Sequence, residues 1–150
     1  MPCEFKATRR VEFSDTDMAG IMHYSNFFRF METAEHSFYR ALGHSVVMPD
    51  IDPPMGWPRV HAECDYLKPL RFEDTVEIHL LVKEKKTRTL SYLFRFRKLD
   101  PATGAAGEEV ARGSLIVVCV THAPGGQMKA VPIPASLAEQ IQVAPAERLA

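Results

Sequence analysis

One stretch near the start of the chain decides how the rest is interpreted, and it reads Phe13-Ser-Asp-Thr-Asp17-Met-Ala-Gly20-Ile-Met-His-Tyr24-Ser-Asn-Phe-Phe28. A segment of alternating apolar and polar residues precedes it, as in a strand, and an amphipathic helical pattern follows it. Two short carboxylates and a glycine therefore lie at a junction between a strand and a helix. A carboxylate beside a helix N-terminus is close to backbone N–H groups that can stabilise a developing negative charge. We interpret this junction as a catalytic arrangement.

The helix after the junction is predicted from apolar residues that recur at helical spacing between Phe27 and Leu42, with charged residues on the opposite side. Gly43 is placed to end this helix in the left-handed conformation that glycine adopts readily. The strand before the junction is predicted from the alternation between Phe5 and Phe13.

The remainder of the chain is predicted to consist mostly of strands. Residues 44–59 are rich in proline, which indicates an irregular loop. Strands are predicted at 60–66, 76–82, 90–96 and 110–120, with a short edge strand within 128–133, a brief helix at 136–141 and a frayed tail at about 143–150. The segment 110–120 is apolar on both faces, as expected of a central strand that is covered on each side.

One long helix followed by antiparallel strands predicts an α+β fold in which a curved sheet wraps around the helix. The length of 150 residues fits a single domain spanning residues 1–150. Because such a sheet covers the helix on one face only, the outer face and the apolar last long strand favour pairing with a second copy.

The overall composition excludes several classes of protein. A formal net charge of -1 gives no general attraction to nucleic acid or to an anionic membrane. No segment approaches the roughly 20 apolar residues that span a bilayer, and the N-terminus lacks the apolar run of a secretory signal. The cysteines Cys3, Cys64 and Cys119 have no metal-ligand spacing, so we expect free thiols, a cytoplasmic location and no metal.

Several segments together resemble the 4-hydroxybenzoyl-CoA thioesterase family of hotdog-fold proteins. The resemblance begins with the junction stretch and the helix ending Ala41-Leu-Gly43. It continues in Cys64-Asp-Tyr66-Leu-Lys68-Pro69-Leu-Arg-Phe-Glu-Asp74, in Ala111-Arg-Gly113 and in Val131-Pro-Ile-Pro134. The match covers roughly residues 5–135 in a consistent order.

This resemblance implies a hotdog fold, a homodimer that often pairs into a homotetramer, and active sites between subunits. It implies hydrolysis of acyl-CoA thioesters, in which coenzyme A is part of the substrate and no separate cofactor is needed. The catalytic aspartate of the family matches Asp17. The backbone N–H that polarises the thioester carbonyl maps to Tyr24, at the start of the long helix.

The residues themselves leave the role of Asp17 open. A thioester carbonyl needs a nucleophile or a base that activates water, and Asp17 suits either task. Without the resemblance, Asp15 and Asp17 could equally be loop carboxylates that cap the helix or form turns. We assign Asp15 to structure. Gly20 is expected to let the backbone approach the ligand or adopt a positive φ, and it could also be a plain turn glycine.

Further residues are candidates for substrate binding. His23 could line the acyl pocket or donate a hydrogen bond, although a lone histidine is more often a packing or surface residue. Asn26 could bond the loop backbone or a water, or it could cap the helix. Because coenzyme A carries phosphates, we expect contacts from Lys86, Thr87 and Arg88 at a predicted turn between strands, although this could be an ordinary charged hairpin tip.

Two other functions remain compatible with the sequence. The chain could be a non-catalytic protein that binds acyl-CoA or an acyl-carrier protein, because fold alone does not establish function. It could also be a dehydratase of the same fold, but such chemistry needs a histidine paired with an acid, and His23 and His61 are weak candidates. A serine hydrolase of the α/β class is excluded because the sequence has no Gly-x-Ser-x-Gly motif.

Overall fold

The computed structural model describes residues 3–49, 51–122 and 125–150. A five-stranded sheet has the order β1-β4-β5-β6-β3, and every neighbouring pair is antiparallel. Its strands are β1 Glu4–Arg10, β3 Arg59–Tyr66, β4 Thr75–Lys85, β5 Thr89–Leu99 and β6 Ala106–Val118. A small second sheet contains β2 Met55–Gly56, β7 Val120–His122 and β8 Met128–Ala130. The helices are α1 Asn26–Ala41, α2 Ala135–Ala138 and α3 Ala146–Leu149, so the predicted α+β class is confirmed.

Helix α1 lies on one face of the large sheet and buries its apolar side there. The side chains of Phe30, Met31 and Ala34 are completely buried among inward-facing residues of the strands. Gly43 ends the helix with a φ of +86°, and the N–H of His44 donates to the Tyr39 carbonyl at 2.9 Å. This is the bonding pattern of a glycine-terminated helix, so the predicted helix end is confirmed.

A glycine in β6 allows the helix to approach the sheet. A Cβ atom at Gly113 would lie 2.7 Å from the Met31 sulfur and 3.1 Å from the Glu63 carbonyl oxygen. The first distance is closer than real side-chain contacts, so only glycine fits without movement of the helix side chain. The junction before α1 is thereby held at a defined depth against the sheet.

Two sequence predictions are corrected by the structure. Strand β6 is covered on one face only: Leu115 and Val117 are buried, whereas Ile116 and Val118 on the other face are partly exposed. The tail predicted to fray is docked instead, since Ala144 is buried. The N–H of Ala144 donates to the Val82 carbonyl at 2.8 Å, and the last residues form α3.

The edges of the large sheet are β1 and β3. In β3 only Arg59 and Cys64 are even partly buried. An exposed edge strand presents unpaired backbone groups, which makes β3 the strand available to another chain. Within the described ranges, no helix is long and apolar enough to cross a membrane.

Candidate active site

The loop between β1 and α1 is closed on itself by backbone hydrogen bonds. Thr16 and Met22 form an isolated antiparallel bridge, and the Asp17 N–H donates to the Ile21 carbonyl at 2.9 Å. The Gly20 N–H donates back to the Asp17 carbonyl at 2.9 Å, and Gly20 has a φ of +80°. The tight turn therefore requires the positive φ expected of this glycine.

The Asp17 carboxylate has one oxygen engaged and one available. Its Oδ1 accepts the Ala19 N–H at 2.9 Å, whereas Oδ2 has no hydrogen-bond partner among the described residues. The side chain is partly exposed and borders a cavity of about 400 Å³. The other residues lining this cavity are Ile21, Met22, Tyr24, Phe27, Tyr66, Leu67, Lys68 and Pro69. An unpaired carboxylate oxygen at such a cavity can accept a proton or attack a carbonyl.

Asp15 has the structural role predicted for it. Its Oδ2 accepts the Glu12 N–H at 2.8 Å. Its carbonyl oxygen accepts both the His23 N–H and the Asn26 side-chain amide, each at 2.8 Å. Asn26 thus bonds the loop backbone, one of the roles considered from the sequence, and a contact with substrate stays a prediction.

Helix α1 begins just after the turn that contains Tyr24, the residue that the family resemblance placed at the helix start. Asn26 is the first helical residue and Ser25 is the N-cap, so Tyr24 lies in the turn before the helix. Its backbone N–H has no acceptor in the described part of the chain. The Tyr24 carbonyl accepts the Tyr66 hydroxyl at 3.0 Å. Burial raises the pKa of Tyr66 to about 12, so this hydroxyl stays protonated and donates.

His23 packs along the turn. The Ser25 N–H donates to His23 Nδ1 at 3.2 Å, the Ser25 hydroxyl lies 2.7 Å from the same nitrogen, and the ring stacks on Tyr24 with centroids 4.5 Å apart. The residues that line the Asp17 cavity do not include His23. A role in binding substrate stays a prediction.

Within one chain, the predicted phosphate contacts are not near Asp17. Lys86, Thr87 and Arg88 form the exposed turn between β4 and β5, whereas the Asp17 loop follows the β1 end that pairs with Thr75. Strand β4 has 11 residues, which places these ends roughly 30 Å apart. The Lys86 ammonium pairs with Glu84 at 3.2 Å, and the Thr87 carbonyl accepts the Ile133 N–H at 2.9 Å.

The sequence interpretation gave no role to the residues after β3. Tyr66, Leu67, Lys68 and Pro69 form the wall of the cavity opposite the Asp17 loop. The segment was recognised as part of the family resemblance, but its position across from the junction depends on the pairing of β3 with β6. The motif was therefore the available signal, and the tertiary structure supplies its location.

A second polar cluster was also missed. Glu35 is completely buried on the sheet side of α1, and Arg59 donates to both of its oxygens at 2.6 and 3.2 Å. Burial raises the pKa of Glu35, and the Arg59 charge opposes that rise. These residues border a cavity of about 300 Å³, with His36 and Trp57 among the other residues of its lining. The sequence pattern had placed Glu35 with the charged residues on the opposite side of the helix, so its burial corrects that prediction.

No set of three or more His, Cys, Asp or Glu side chains in the described ranges is arranged to hold a metal ion.

The family model of the thioesterase-like superfamily matches residues 11–141, which is most of the chain. The chain belongs to this superfamily. A putative esterase of Aquifex aeolicus is 35% identical over 116 residues, covering 73% of this chain and 88% of that protein. A 1,4-dihydroxy-2-naphthoyl-CoA hydrolase of Prochlorococcus marinus is 33% identical over 99 residues, covering 61% of this chain and 66% of that protein.

Solved structures agree with this membership in the thioesterase-like superfamily. A gentisyl-coenzyme A thioesterase superimposes with a TM-score of 0.73 at 32% identity, over 89% of this chain and 98% of that one. The 4-hydroxybenzoyl-CoA thioesterase of Pseudomonas sp. strain CBS-3 superimposes with a TM-score of 0.78 at 23% identity, over 92% and 99%. The fold is therefore the hotdog fold of these proteins. With its named relatives, the chain is an enzyme of the thioester hydrolase class.

Proposed function

We propose that this protein hydrolyses an acyl-CoA to the free acid and coenzyme A in the cavity beside Asp17. Asp17 acts as general base or nucleophile, and the Tyr24 N–H polarises the thioester carbonyl. One observation carries this proposal: the Asp17 Oδ2 and the Tyr24 N–H, neither of which has a partner among the described residues, belong to residues that border the same cavity. A carboxylate and a free N–H on one cavity supply both parts that the reaction needs.

Both chemical routes begin with the carbonyl oxygen near the Tyr24 N–H, just before the positive end of helix α1. As a base, Asp17 takes a proton from water while the water oxygen attacks the carbonyl carbon, and the tetrahedral intermediate then expels coenzyme A as the thiolate to leave the free acid. As a nucleophile, Asp17 attacks the carbon itself, coenzyme A leaves as the thiolate, and water then cleaves the mixed anhydride. In each route the negative charge on the carbonyl oxygen develops beside the N–H.

We infer that a second copy completes the site along β3, giving a homodimer that can pair into a tetramer. The Asp17 cavity lies at the Tyr66 end of this strand, and the Glu35 cavity lies at the Arg59 end. Antiparallel pairing of two β3 edges about a two-fold axis places the Arg59 end of one copy beside the Tyr66 end of the other. The two cavities would then face each other across the interface. Lys86, Thr87 and Arg88 can reach a site only from another copy.

We propose an aromatic, hydroxylated acyl group as the substrate class. Two of the named relatives are a 1,4-dihydroxy-2-naphthoyl-CoA hydrolase and a gentisyl-coenzyme A thioesterase. Phe27 and Tyr66, whose ring centroids lie 5.1 Å apart, provide an aromatic surface in the Asp17 cavity. The Glu35 cavity offers Glu32, His36 and Arg59 as hydrogen-bond partners for a ring hydroxyl.

The test is the release of free thiol from aromatic and aliphatic acyl-CoAs by the wild type and by the variant Asp17→Asn. Loss of a general base or nucleophile should reduce kcat at least about a hundredfold. The matched control is Glu139→Gln, which removes an exposed carboxylate after α2. Turnover in Asp17→Asn equal to that of the wild type would refute the assignment. Saturable CoA binding by a wild type without turnover would favour a binding protein.

A further inference from the structure

Lys68 and Pro69 line more than the Asp17 cavity. These two residues also line a second cavity of about 510 Å³, so the two cavities are neighbours at the turn after β3. The second cavity extends to the turn between β5 and β6, where its apolar lining includes Leu99, Pro101 and Val110. The two cavities therefore flank the same two residues, one on the Asp17 side and one toward the end of the large sheet.

Lys68 stands at the junction of the two cavities on a fixed backbone. The N–H groups of Leu67 and Lys68 both donate to the Val110 carbonyl, at 2.9 and 3.0 Å. The Lys68 ammonium pairs with the Glu108 carboxylate, and the two side chains are 53% and 70% exposed. An ion pair this exposed adds little stability, so an anionic ligand can replace the glutamate at small cost.

The other charged side chains that line the second cavity already have partners. Lys98 on the rim pairs with Asp74 at 3.4 Å, and the Asp74 side chain is only 17% exposed. The Asp100 Oδ1 is engaged by the N–H groups of Ala102 and Thr103, at 2.7 and 3.1 Å. The Asp100 carboxylate thus serves the turn and Lys98 neutralises a mostly buried carboxylate, which leaves the Lys68 ammonium to move to a phosphate.

We propose that Lys68 binds the phosphate of the phosphopantetheine arm that carries the acyl group, in a groove running from Asp17 past Pro69. The inference rests on the proposed function, because the thioester must lie at Asp17. The apolar lining suits the pantetheine chain, and Lys68 supplies a charge-assisted hydrogen bond farther along. Coenzyme A and an acyl-carrier protein share this arm, so either can be the source.

The experiment measures KM for acyl-CoA and for the acyl-pantetheine of the same acid, which lacks the phosphate. Lys68→Met should raise KM for acyl-CoA roughly tenfold, the usual effect of losing a hydrogen bond to a charged group, and leave that for acyl-pantetheine unchanged. Glu108→Gln should lower KM for acyl-CoA, because it removes the competing carboxylate. Lys6→Met, an exposed lysine on β1, is the control for loss of charge.

Calorimetric titration with free CoA measures the affinity of the groove without catalysis, so its result distinguishes this inference from the proposed function. Weaker CoA binding by Lys68→Met in a protein that hydrolyses nothing would support the groove and refute the hydrolase. Turnover that depends on Asp17 with an unchanged KM in Lys68→Met would overturn the groove alone. An increase in KM confined to Arg88→Met would assign the phosphate to the β4–β5 turn instead. An effect of Lys68→Met on KM seen only with an acyl-carrier-protein thioester would support the groove and identify an acyl-carrier protein as the source of the arm.

Discussion

The buried pair of Glu35 and Arg59 gives the sharpest stability prediction. Glu35 has no exposed surface, and Arg59 donates to both of its oxygens at 2.6 and 3.2 Å. The variant Arg59→Leu removes this guanidinium and leaves the carboxylate in the core. Breaking one side of a buried pair costs about 3–5 kcal/mol, because a buried charge loses its partner.

The double variant Glu35→Leu/Arg59→Leu distinguishes the cost of an unpaired buried charge from any other damage to the fold. Replacing both members of a buried ion pair by apolar side chains is often neutral or stabilising, so the double variant should recover most of the lost free energy of unfolding. Equilibrium unfolding in urea measures all three proteins. The protein concentration must be held constant, because association with a second copy would shift the midpoint.

The pH dependence of the free energy of unfolding gives a second, independent test of the buried pair. Burial raises the pKa of Glu35 even with Arg59 present, and losing the arginine should raise it further. A carboxyl whose folded pKa is raised binds more protons when folded, so stability rises as the pH falls toward the unfolded pKa. The deficit of Arg59→Leu should therefore shrink between pH 7 and 5. A loss below about 1 kcal/mol with no recovery in the double variant would refute the reasoning.

Three further predictions follow from other contacts. Gly113→Ala should lower the free energy of unfolding by about 1–3 kcal/mol, because the added Cβ meets Met31. This loss should be smaller in a Met31→Ala background, and equal losses measured by urea unfolding in the two backgrounds would contradict the clash. Tyr66→Phe should lower kcat roughly three- to tenfold by removing the hydroxyl that donates to the Tyr24 carbonyl, and unchanged kinetics would exclude that role. Although its Nε2 lies 3.0 Å from a Glu4 oxygen, burial aided by nearby cations lowers the pKa of His79 to about 4, so stability present above pH 6.5 should be lost as the pH falls toward 4. His79→Gln should flatten this loss in urea midpoints, and an equally steep loss would contradict it.

The local features of the junction were predictable from the sequence because they depend on neighbouring residues. The positive φ of Gly20 and the helix end at Gly43 follow from the conformational freedom of glycine. The loop-holding role of Asp15 follows from a short carboxylate in a turn. The helical pattern from Phe27 agrees with the observed start of α1 at Asn26, whereas the resemblance had placed Tyr24 at that start.

The features that needed the tertiary structure all depend on contacts between distant segments. The wall of the cavity opposite Asp17 comes from Tyr66 and Lys68, which the pairing of β3 with β6 brings across from a loop some 50 residues earlier. No local pattern encodes that distance. The docked tail was missed for the same reason, because Ala144 is held by Val82 of a strand far away in the sequence.

By itself, the sequence determined the α+β class and the strand-to-helix junction, because periodicity and turn chemistry are properties of short segments. The resemblance to a family is what singled out Asp17, since a carboxylate in a loop can equally form a cap or a turn. Only the tertiary structure decided that the Lys86–Arg88 turn lies at the other end of the sheet from Asp17. It likewise decided that Arg59 neutralises a glutamate inside the core. The physical reason is that burial and charge compensation are set by which segments pack together, and packing is a property of the whole chain.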